Sequence, residues 1–169
     1  LVAPEIRDVK FIPGGTRAVA SGRNRDAYFS TDGGATWTSS TGWTSGYNGG
    51  ALGGVFRYDG GTNWTNFGAP PNVDQTYSFA FHHGAMHTGT WKEGKVFRYL
   101  GANRWDDAGR LGNELEVMGL ALFNGKLYGG TLPLAQVYRR DDPGWTLTGR
   151  LDFSEVEYRR AWSMAVFQG

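Results

Sequence analysis

The 169-residue sequence predicts an all-β fold, a β-propeller built from four-stranded antiparallel blades. Three observations predict it: the composition, an internal repeat, and short alternating runs that end in two-residue turns. Glycine occurs 27 times and aromatic residues make up 15% of the chain, which is typical of many turns joining short strands. Because 40% of the residues are hydrophobic, a disordered chain is excluded.

The repeat has a period of about 41 residues. Three similar segments begin at Val55, Val96 and Val137, 41 residues apart in both steps, and each runs through an aromatic-Arg pair to a turn and a tryptophan. A second motif, Tyr77–Gly84, returns at Met118–Gly125 with the same spacing and again at Trp162–Gly169 after 44 residues. A repeat of 40 to 45 residues is typical of propeller blades. The alternative is a generic β-sandwich whose strand spacing happens to repeat, but two motifs hold the same period.

Each repeat contains two predicted hairpins. In the first, alternating residues on either side of Asn124-Gly125 predict two strands joined by a type I′ turn, in which both central residues take positive φ. The second hairpin runs from the Val-Phe-Arg-Tyr motif to the tryptophan, so that one repeat supplies four strands. The predicted single domain over 1–169 then divides into blades at about 1–40, 41–70, 71–111 and 112–152, with the start of a fifth at about 153–169.

The second blade is shorter than the others. Trp37 and Trp64 are 27 residues apart, whereas Trp64 and Trp105 are 41 apart, so blade two lacks the length for its inner two strands. We therefore expect a propeller fragment that is incomplete or is closed by another copy, and self-association is one expected partnership.

The first blade carries a motif of known type. The segment Tyr28–Trp37 resembles the Asp-box, or BNR, repeat, since Ser30, Asp32, Gly34 and Trp37 occupy all four positions of its Ser/Thr-x-Asp-x-Gly-x-x-Trp pattern. The resemblance implies a propeller related to those of sialidases, sortilin-like receptors and xyloglucan-degrading enzymes, and it favours an extracellular or periplasmic location. It also implies a structural role: Asp32 accepts hydrogen bonds within its own turn and Trp37 folds back as an apolar plug.

Composition excludes several classes of function. The net charge is +1 and no run of Lys or Arg exceeds two residues, so a nucleic-acid partner is not indicated. There is no cysteine, and no apolar run is long enough for a transmembrane helix. The three histidines, His82, His83 and His87, fall at a predicted hairpin tip and its flanking strands without a neighbouring carboxylate. Neither a metal site nor a cofactor is therefore predicted.

No catalytic residue is predicted either. The resemblance to sialidases implies an arginine cluster, a Tyr–Glu pair, an acidic general acid and a Phe/Tyr-Arg-Ile-Pro motif. Here Lys10–Pro13 reads Lys-Phe-Ile-Pro and lacks the arginine. Tyr158, with the charged residues around it, has suitable residue types but is better explained as a charged loop.

A ligand site is expected where the repeats enter their first strands, around the mouth of the central channel. Such a mouth, polar outside and aromatic within, suits a carbohydrate or a protein ligand, so the leading interpretation is a non-catalytic binding or structural scaffold. The alternatives are packing with a solvated rim, or the remnant of a sialidase-like or xyloglucanase-like glycoside hydrolase. The outer ring consists of Glu5, Gln75, Glu116 and Arg160, and the inner ring of Arg7, Tyr77, Met118 and Trp162; all except Met118 are candidate ligand-binding residues.

Overall fold

A computed structural model describes residues 6–11, 15–22, 27–39, 54–60 and 62–167. The chain divides into two compact units, residues 1–50 with 56–66, and residues 51–55 with 67–169. The described residues form strands and turns without a helix, in agreement with the all-β prediction. No helix long and apolar enough to cross a membrane occurs in the described ranges.

The first unit contains one four-stranded sheet and one hairpin. The sheet is antiparallel in the order β1-β2-β3-β4, as expected for a blade whose strands follow one another along the chain. The hairpin pairs β5 with β6, matching the hairpin predicted from the Val-Phe-Arg-Tyr motif at Val55 to Trp64. The strands are β1 (Ile6–Phe11), β2 (Ala18–Gly22), β3 (Ala27–Ser30), β4 (Thr38–Ser39), β5 (Phe56–Gly60) and β6 (Asn63–Asn66). The part of blade two that is predicted to be too short falls mainly on residues 40–53, which lie outside the described residues.

The second unit contains two four-stranded antiparallel runs. Strands β7 to β10 pair in chain order, and so do β11 to β14, while a single pairing of Glu116 with Trp91 joins the two runs into one sheet. The strands are β7 (Gln75–His82), β8 (Ala85–Trp91), β9 (Lys95–Gly101), β10 (Arg104–Arg110), β11 (Glu116–Phe123), β12 (Lys126–Leu132), β13 (Gln136–Asp141) and β14 (Gly144–Arg150).

The hairpin turns have the predicted backbone. Between β11 and β12, Asn124 and Gly125 have φ values of 46° and 70°. One repeat earlier, His83 and Gly84 have φ values of 48° and 74° between β7 and β8. Two successive positive φ values in a two-residue loop match the twist of the flanking strands, and asparagine and glycine tolerate them best.

A hydrophobic core lies between the β7–β10 run and the β11–β14 run. Val96, Leu111, Val117 and Leu127 have no exposed surface, and Leu120, Ala108 and Tyr138 pack with them. Burying an aliphatic side chain of this size stabilises the folded state by about 1.5–3 kcal/mol. This core is the main apolar attachment between the two runs.

The 41-residue period reappears as repeated contacts. The indole Nε1 of Trp105 donates to the carbonyl of Phe67 at 2.8 Å, and that of Trp145 donates to Ala108 at 2.9 Å. Trp105 and Trp145 thus each tie their strand to the end of the preceding repeat. The tryptophan in the sequence motif is therefore a hydrogen-bonded link as well as an apolar side chain.

The segment 161–167 differs from its prediction. It was expected to be the first strand of a fifth blade, but it has no strand assignment and is attached to β12 by one bond, from Ala161 N to Thr131 O at 3.0 Å. A strand requires a ladder of such bonds, and no second partner strand for this segment occurs among the described residues.

Candidate functional site

Five of the seven predicted mouth residues lie close together in the second unit. Gln75 and Glu116 are the first residues of β7 and β11, and Tyr77 lies two residues into β7. The Tyr77 and Trp162 rings meet edge to face, with centroids 6.5 Å apart. The Tyr77 hydroxyl also lies within hydrogen-bond distance of the Gln75 side chain, so the two side chains lie on the same side of β7. We call Gln75, Tyr77, Glu116, Arg160 and Trp162 the Tyr77 cluster.

The centre of the cluster is a short hydrogen bond. The Tyr77 hydroxyl donates to Glu116 Oε2 at 2.6 Å, across 39 residues of sequence, and its oxygen lies 2.9 Å from Gln75 Oε1. Burial, and then the neighbouring Glu116 carboxylate, raise the pKa of Tyr77 well above its usual value of 10.0. The phenol is protonated at physiological pH, as an ordinary tyrosine is, and it donates its hydrogen bond to Glu116.

The cluster also presents an accessible aromatic surface. Trp162 is 61% exposed although its ring touches Tyr77, and Arg160 is exposed two residues earlier. The positive charge of Arg160 opposes the rise in the pKa of Tyr77, which places the guanidinium within electrostatic reach of the phenol. An open indole beside a carboxylate, an amide and a guanidinium can stack on a ligand while the polar groups fix its orientation.

A buried carboxylate that the sequence analysis did not find holds the loops around Glu116. Glu114 is 2% exposed, and its Oε2 accepts hydrogen bonds from Thr131 Oγ1 at 2.7 Å and from Leu134 N at 3.1 Å. It therefore links the loop before β11 to the loop after β12. Its counterpart one repeat earlier, Val73, is apolar. A glutamate at a repeat position that is otherwise apolar is the sequence signal that could have pointed to Glu114.

The two remaining predicted residues belong to the first unit. Glu5 lies outside the described residues. Arg7 lies on β1, where the backbone alone is described. Both stay predictions.

The residues of the Asp-box-like segment form a closed hydrogen-bond network. Ser30 Oγ donates to Asp32 Oδ1 at 2.8 Å and accepts from Gly34 N at 2.9 Å. Thr36 donates to Asp32 through its backbone N at 2.9 Å and through its hydroxyl at 2.5 Å. These bonds, led by the Thr36 hydroxyl, lower the pKa of Asp32 from 3.8 to about 2. Asp32 thus accepts bonds within its own turn.

Trp37 is not the buried plug that the sequence suggested. Its side chain is 38% exposed, and its Nε1 donates to the Gly34 carbonyl at 3.0 Å. The indole closes the turn locally, because a hydrogen bond three residues back holds the ring against its own loop.

The histidines line a separate small cavity of about 100 Å³ between the β7–β8 turn and the β13–β14 turn. His82 and His87 are buried, and their rings contact backbone carbonyls: Nε2 of His82 lies 3.1 Å from Gly125 O, and Nδ1 of His87 lies 3.1 Å from Ala85 O. Among the described residues, no three histidine, aspartate or glutamate side chains come together in a group that could hold a metal ion.

The charged side chains around the histidines come from distant parts of the chain. Arg98 and Asp106 pair at 2.7 Å, and Arg140 pairs with Asp142 at 2.5 Å. Arg140 also donates to the carbonyl of Ala108. Sequence reasoning missed these neighbours, because they lie more than ten residues from the histidines and the pairing of strands brings them together.

Comparisons with known proteins address the fold. No protein-family model matches the chain, and no curated protein matches it. Among solved structures, it is similar to the extracellular domain of BT4673, described as a one-component system of B. thetaiotaomicron, with a TM-score of 0.68 and 16% identity over 97% of this chain. It is also similar to YCF48 from Cyanidioschyzon merolae, with a TM-score of 0.65 and 15% identity over 99% of this chain. A structure of YCF48 bound to D1 peptide matches 86% of this chain with a TM-score of 0.51 and 16% identity.

These neighbours are β-propellers, and the predicted fold class is confirmed. The chain spans 25% of the BT4673 domain and 62% of YCF48, so it corresponds to part of each. At such low identity the likeness concerns the fold.

Proposed function

We propose that this chain is part of a non-catalytic β-propeller scaffold that binds a ligand, a protein segment or a glycan, at the Tyr77 cluster. The observation that carries the proposal is the neutral Tyr77 phenol bonded to Glu116 at 2.6 Å beside the exposed Trp162 ring. Such a site offers a stacking surface together with fixed donors and acceptors. The solved complex of YCF48 with a peptide supports a protein ligand, and the exposed indole supports a glycan equally well.

We assign the Ser30–Trp37 turn to the Asp-box type, with a structural role for Ser30, Asp32, Gly34 and Trp37. The internal hydrogen bonds of this turn support that assignment, because the Asp32 carboxylate is already occupied by Thr36 and Ser30. An extracellular or periplasmic location is part of the same proposal. It is supported by the resemblance to Asp-box proteins and by the similarity to an extracellular domain.

The binding proposal is tested with a glycan array and a peptide array probed with the 169-residue chain. For any ligand found, Trp162→Ala should weaken binding at least about tenfold, a change of about 1.4 kcal/mol. Glu116→Gln should also weaken it, because the amide cannot replace the charged acceptor. The matched control is Phe81→Ala, an aromatic residue on β7 that is 70% exposed and does not contact the cluster through its ring. Equal affinities in Trp162→Ala and Phe81→Ala would contradict the proposal.

A second candidate function is a remnant glycoside hydrolase. The Tyr77–Glu116 bond is the observation that favours it, since a sialidase-like mechanism needs a Tyr–Glu pair. The Lys10–Pro13 segment argues against it, because it lacks the arginine of the Phe/Tyr-Arg-Ile-Pro motif that the sialidase resemblance implies. A screen with fluorogenic glycosides decides between the two: hydrolysis that disappears in Tyr77→Phe and in Glu116→Gln would replace the binding proposal with this one.

A further inference from the structure

A second polar site lies at the end of β7 opposite to the one that carries Tyr77. We call it the histidine cavity: it has a volume of about 100 Å³, and it is lined by His82, His83 and His87 together with charged side chains from β9, β10 and the β13–β14 region. This volume is about that of three water molecules in the liquid. The cavity therefore has room for a small polar group such as a sulfate or phosphate ion.

Two of the histidines are buried, and their hydrogen bonds define which nitrogen carries the proton. His82 is 6% exposed and His87 is 7% exposed, and each places one ring nitrogen 3.1 Å from a backbone carbonyl oxygen. A carbonyl oxygen only accepts, so Nε2 of His82 and Nδ1 of His87 are the protonated nitrogens, and the second nitrogen of each neutral ring has a lone pair. Within the described ranges, no protein group hydrogen-bonds to these second nitrogens.

The arginines of the cavity have more donors than their carboxylate partners use. Arg98 donates from Nη2 to Asp106 at 2.7 Å. Arg140 donates from Nε to Asp142 and from Nη1 to the carbonyl of Ala108. A guanidinium group has five N–H donors, so both arginines retain donors for a further acceptor.

The charges that act most strongly on His87 are positive. Arg98 lies directly opposite His87 in the pairing of β8 with β9. Burial lowers the pKa of His87 first, and the positive charges of His82, Arg98 and Arg140 lower it further. The third carboxylate of the cavity, Asp107, is paired with Lys95 at 3.2 Å. An anion in the cavity would therefore meet several positive groups and an imidazole that can still take up a proton.

We propose that the histidine cavity binds a small oxyanion of the sulfate or phosphate class, held by the remaining donors of Arg98 and Arg140 and by His87. The oxyanion stabilises the charged imidazole, so His87 takes up one proton from solvent at Nε2 when the oxyanion binds, and Nε2 then donates to an oxygen of the anion. Charge-assisted hydrogen bonds of this kind are the strong ones in proteins. Because the charged imidazole is favoured at lower pH, the affinity rises as the pH falls.

The test is titration calorimetry of the 169-residue chain with sodium sulfate, at constant ionic strength, at about pH 6 and about pH 8. Sulfate does not change its charge over this range, so any pH dependence belongs to the protein. We expect one-to-one binding that is at least about tenfold tighter at the lower pH. Measurements in two buffers of different ionisation enthalpy should show proton uptake on binding, and this readout needs no variant.

The matched pair of variants removes the same charge inside and outside the cavity. Arg98→Gln should weaken sulfate binding at least about tenfold. The control is Arg139→Gln, whose side chain is paired with Asp141 at 2.8 Å and is 39% exposed, compared with 2.7 Å and 46% for Arg98; Arg139 does not line the cavity, so its variant should bind as the wild type does. His87→Asn keeps an amide donor near the position of Nδ1 but removes the second ring nitrogen, and it should abolish the pH dependence.

Near-ultraviolet circular dichroism shows that each variant is folded. The absence of saturable sulfate binding at the lower pH, an affinity that does not change with pH, or equal losses in Arg98→Gln and Arg139→Gln would each overturn the proposal. If it holds, O-phosphoserine that binds as tightly as inorganic phosphate assigns the cavity to a phosphate group on a larger molecule, and binding of inorganic phosphate alone assigns it to the free anion. None of these residues belongs to the Tyr77 cluster, so the two sites are tested independently.

Discussion

The substitution Gly89→Ala tests the close approach between the β7–β10 run and the β11–β14 run. A methyl carbon on Gly89 would lie 2.9 Å from Val117 Cγ1 and 3.0 Å from its carbonyl carbon, with the carbonyl oxygen closer still. Ordinary carbon–carbon contacts are about 3.5–4.0 Å. Because Val117 sits in a paired strand and its side chain is completely buried, neither the backbone nor the side chain can give way easily.

We expect Gly89→Ala to destabilise the folded state by about 1–3 kcal/mol, the usual cost of overpacking. The matched control is Gly149→Ala, also within a strand, where an added methyl group meets nothing within 4 Å and φ is not positive. Removing glycine there should stabilise the chain by about 0.4–1 kcal/mol, because the unfolded chain loses conformational freedom. The two substitutions are chemically identical, and the structure predicts opposite signs.

The assay is urea unfolding followed by tryptophan fluorescence, with the midpoint compared at equal slope. Gly130→Ala, one repeat later, should cost less than Gly89→Ala, because the segment at Ala161 is attached by a single strand-like bond and can shift. If Gly89→Ala is as stable as Gly149→Ala, then the two runs do not approach as closely as described and the account of the interface is wrong.

Three further predictions concern stability. Leu127→Ala should cost about 2–5 kcal/mol, whereas Leu147→Ala, at a residue 50% exposed, should cost far less; similar urea midpoints would contradict the described core. Trp37→Ala should cost less than the about 3–5 kcal/mol typical of a buried aromatic, because its ring is 38% exposed, and an unchanged melting temperature would deny the indole any role in its turn. Burial lowers the pKa of His87 below its usual 6.5, so its contribution to stability is complete above pH 6.5 and is lost as the pH falls towards the lower, folded-state pKa. His87→Phe should flatten this part of the pH dependence of the urea midpoint, and an unchanged profile would contradict the assignment.

Local chemistry made the strands and turns predictable. Alternation of apolar residues and the Asn124-Gly125 pair act over two to ten residues, so the hairpin and its positive φ values could be predicted before any packing was known. The repeat extended this to the propeller fold, because equivalent positions in successive repeats face equivalent neighbours. The same alignment placed Gln75 and Glu116 at equivalent strand starts, where both contact Tyr77.

Only the tertiary structure decided how individual side chains are used. The bond from Tyr77 to Glu116, the burial of Glu114 and the arginines around the histidines all depend on strands from different repeats lying side by side. Trp37 shows the reverse case: its motif predicted an interior plug, but the exposed fraction of a ring depends on what the rest of the chain packs against it. Sequence periodicity therefore determines which residues are equivalent, whereas packing between repeats determines which of them are buried, paired or left open to a ligand.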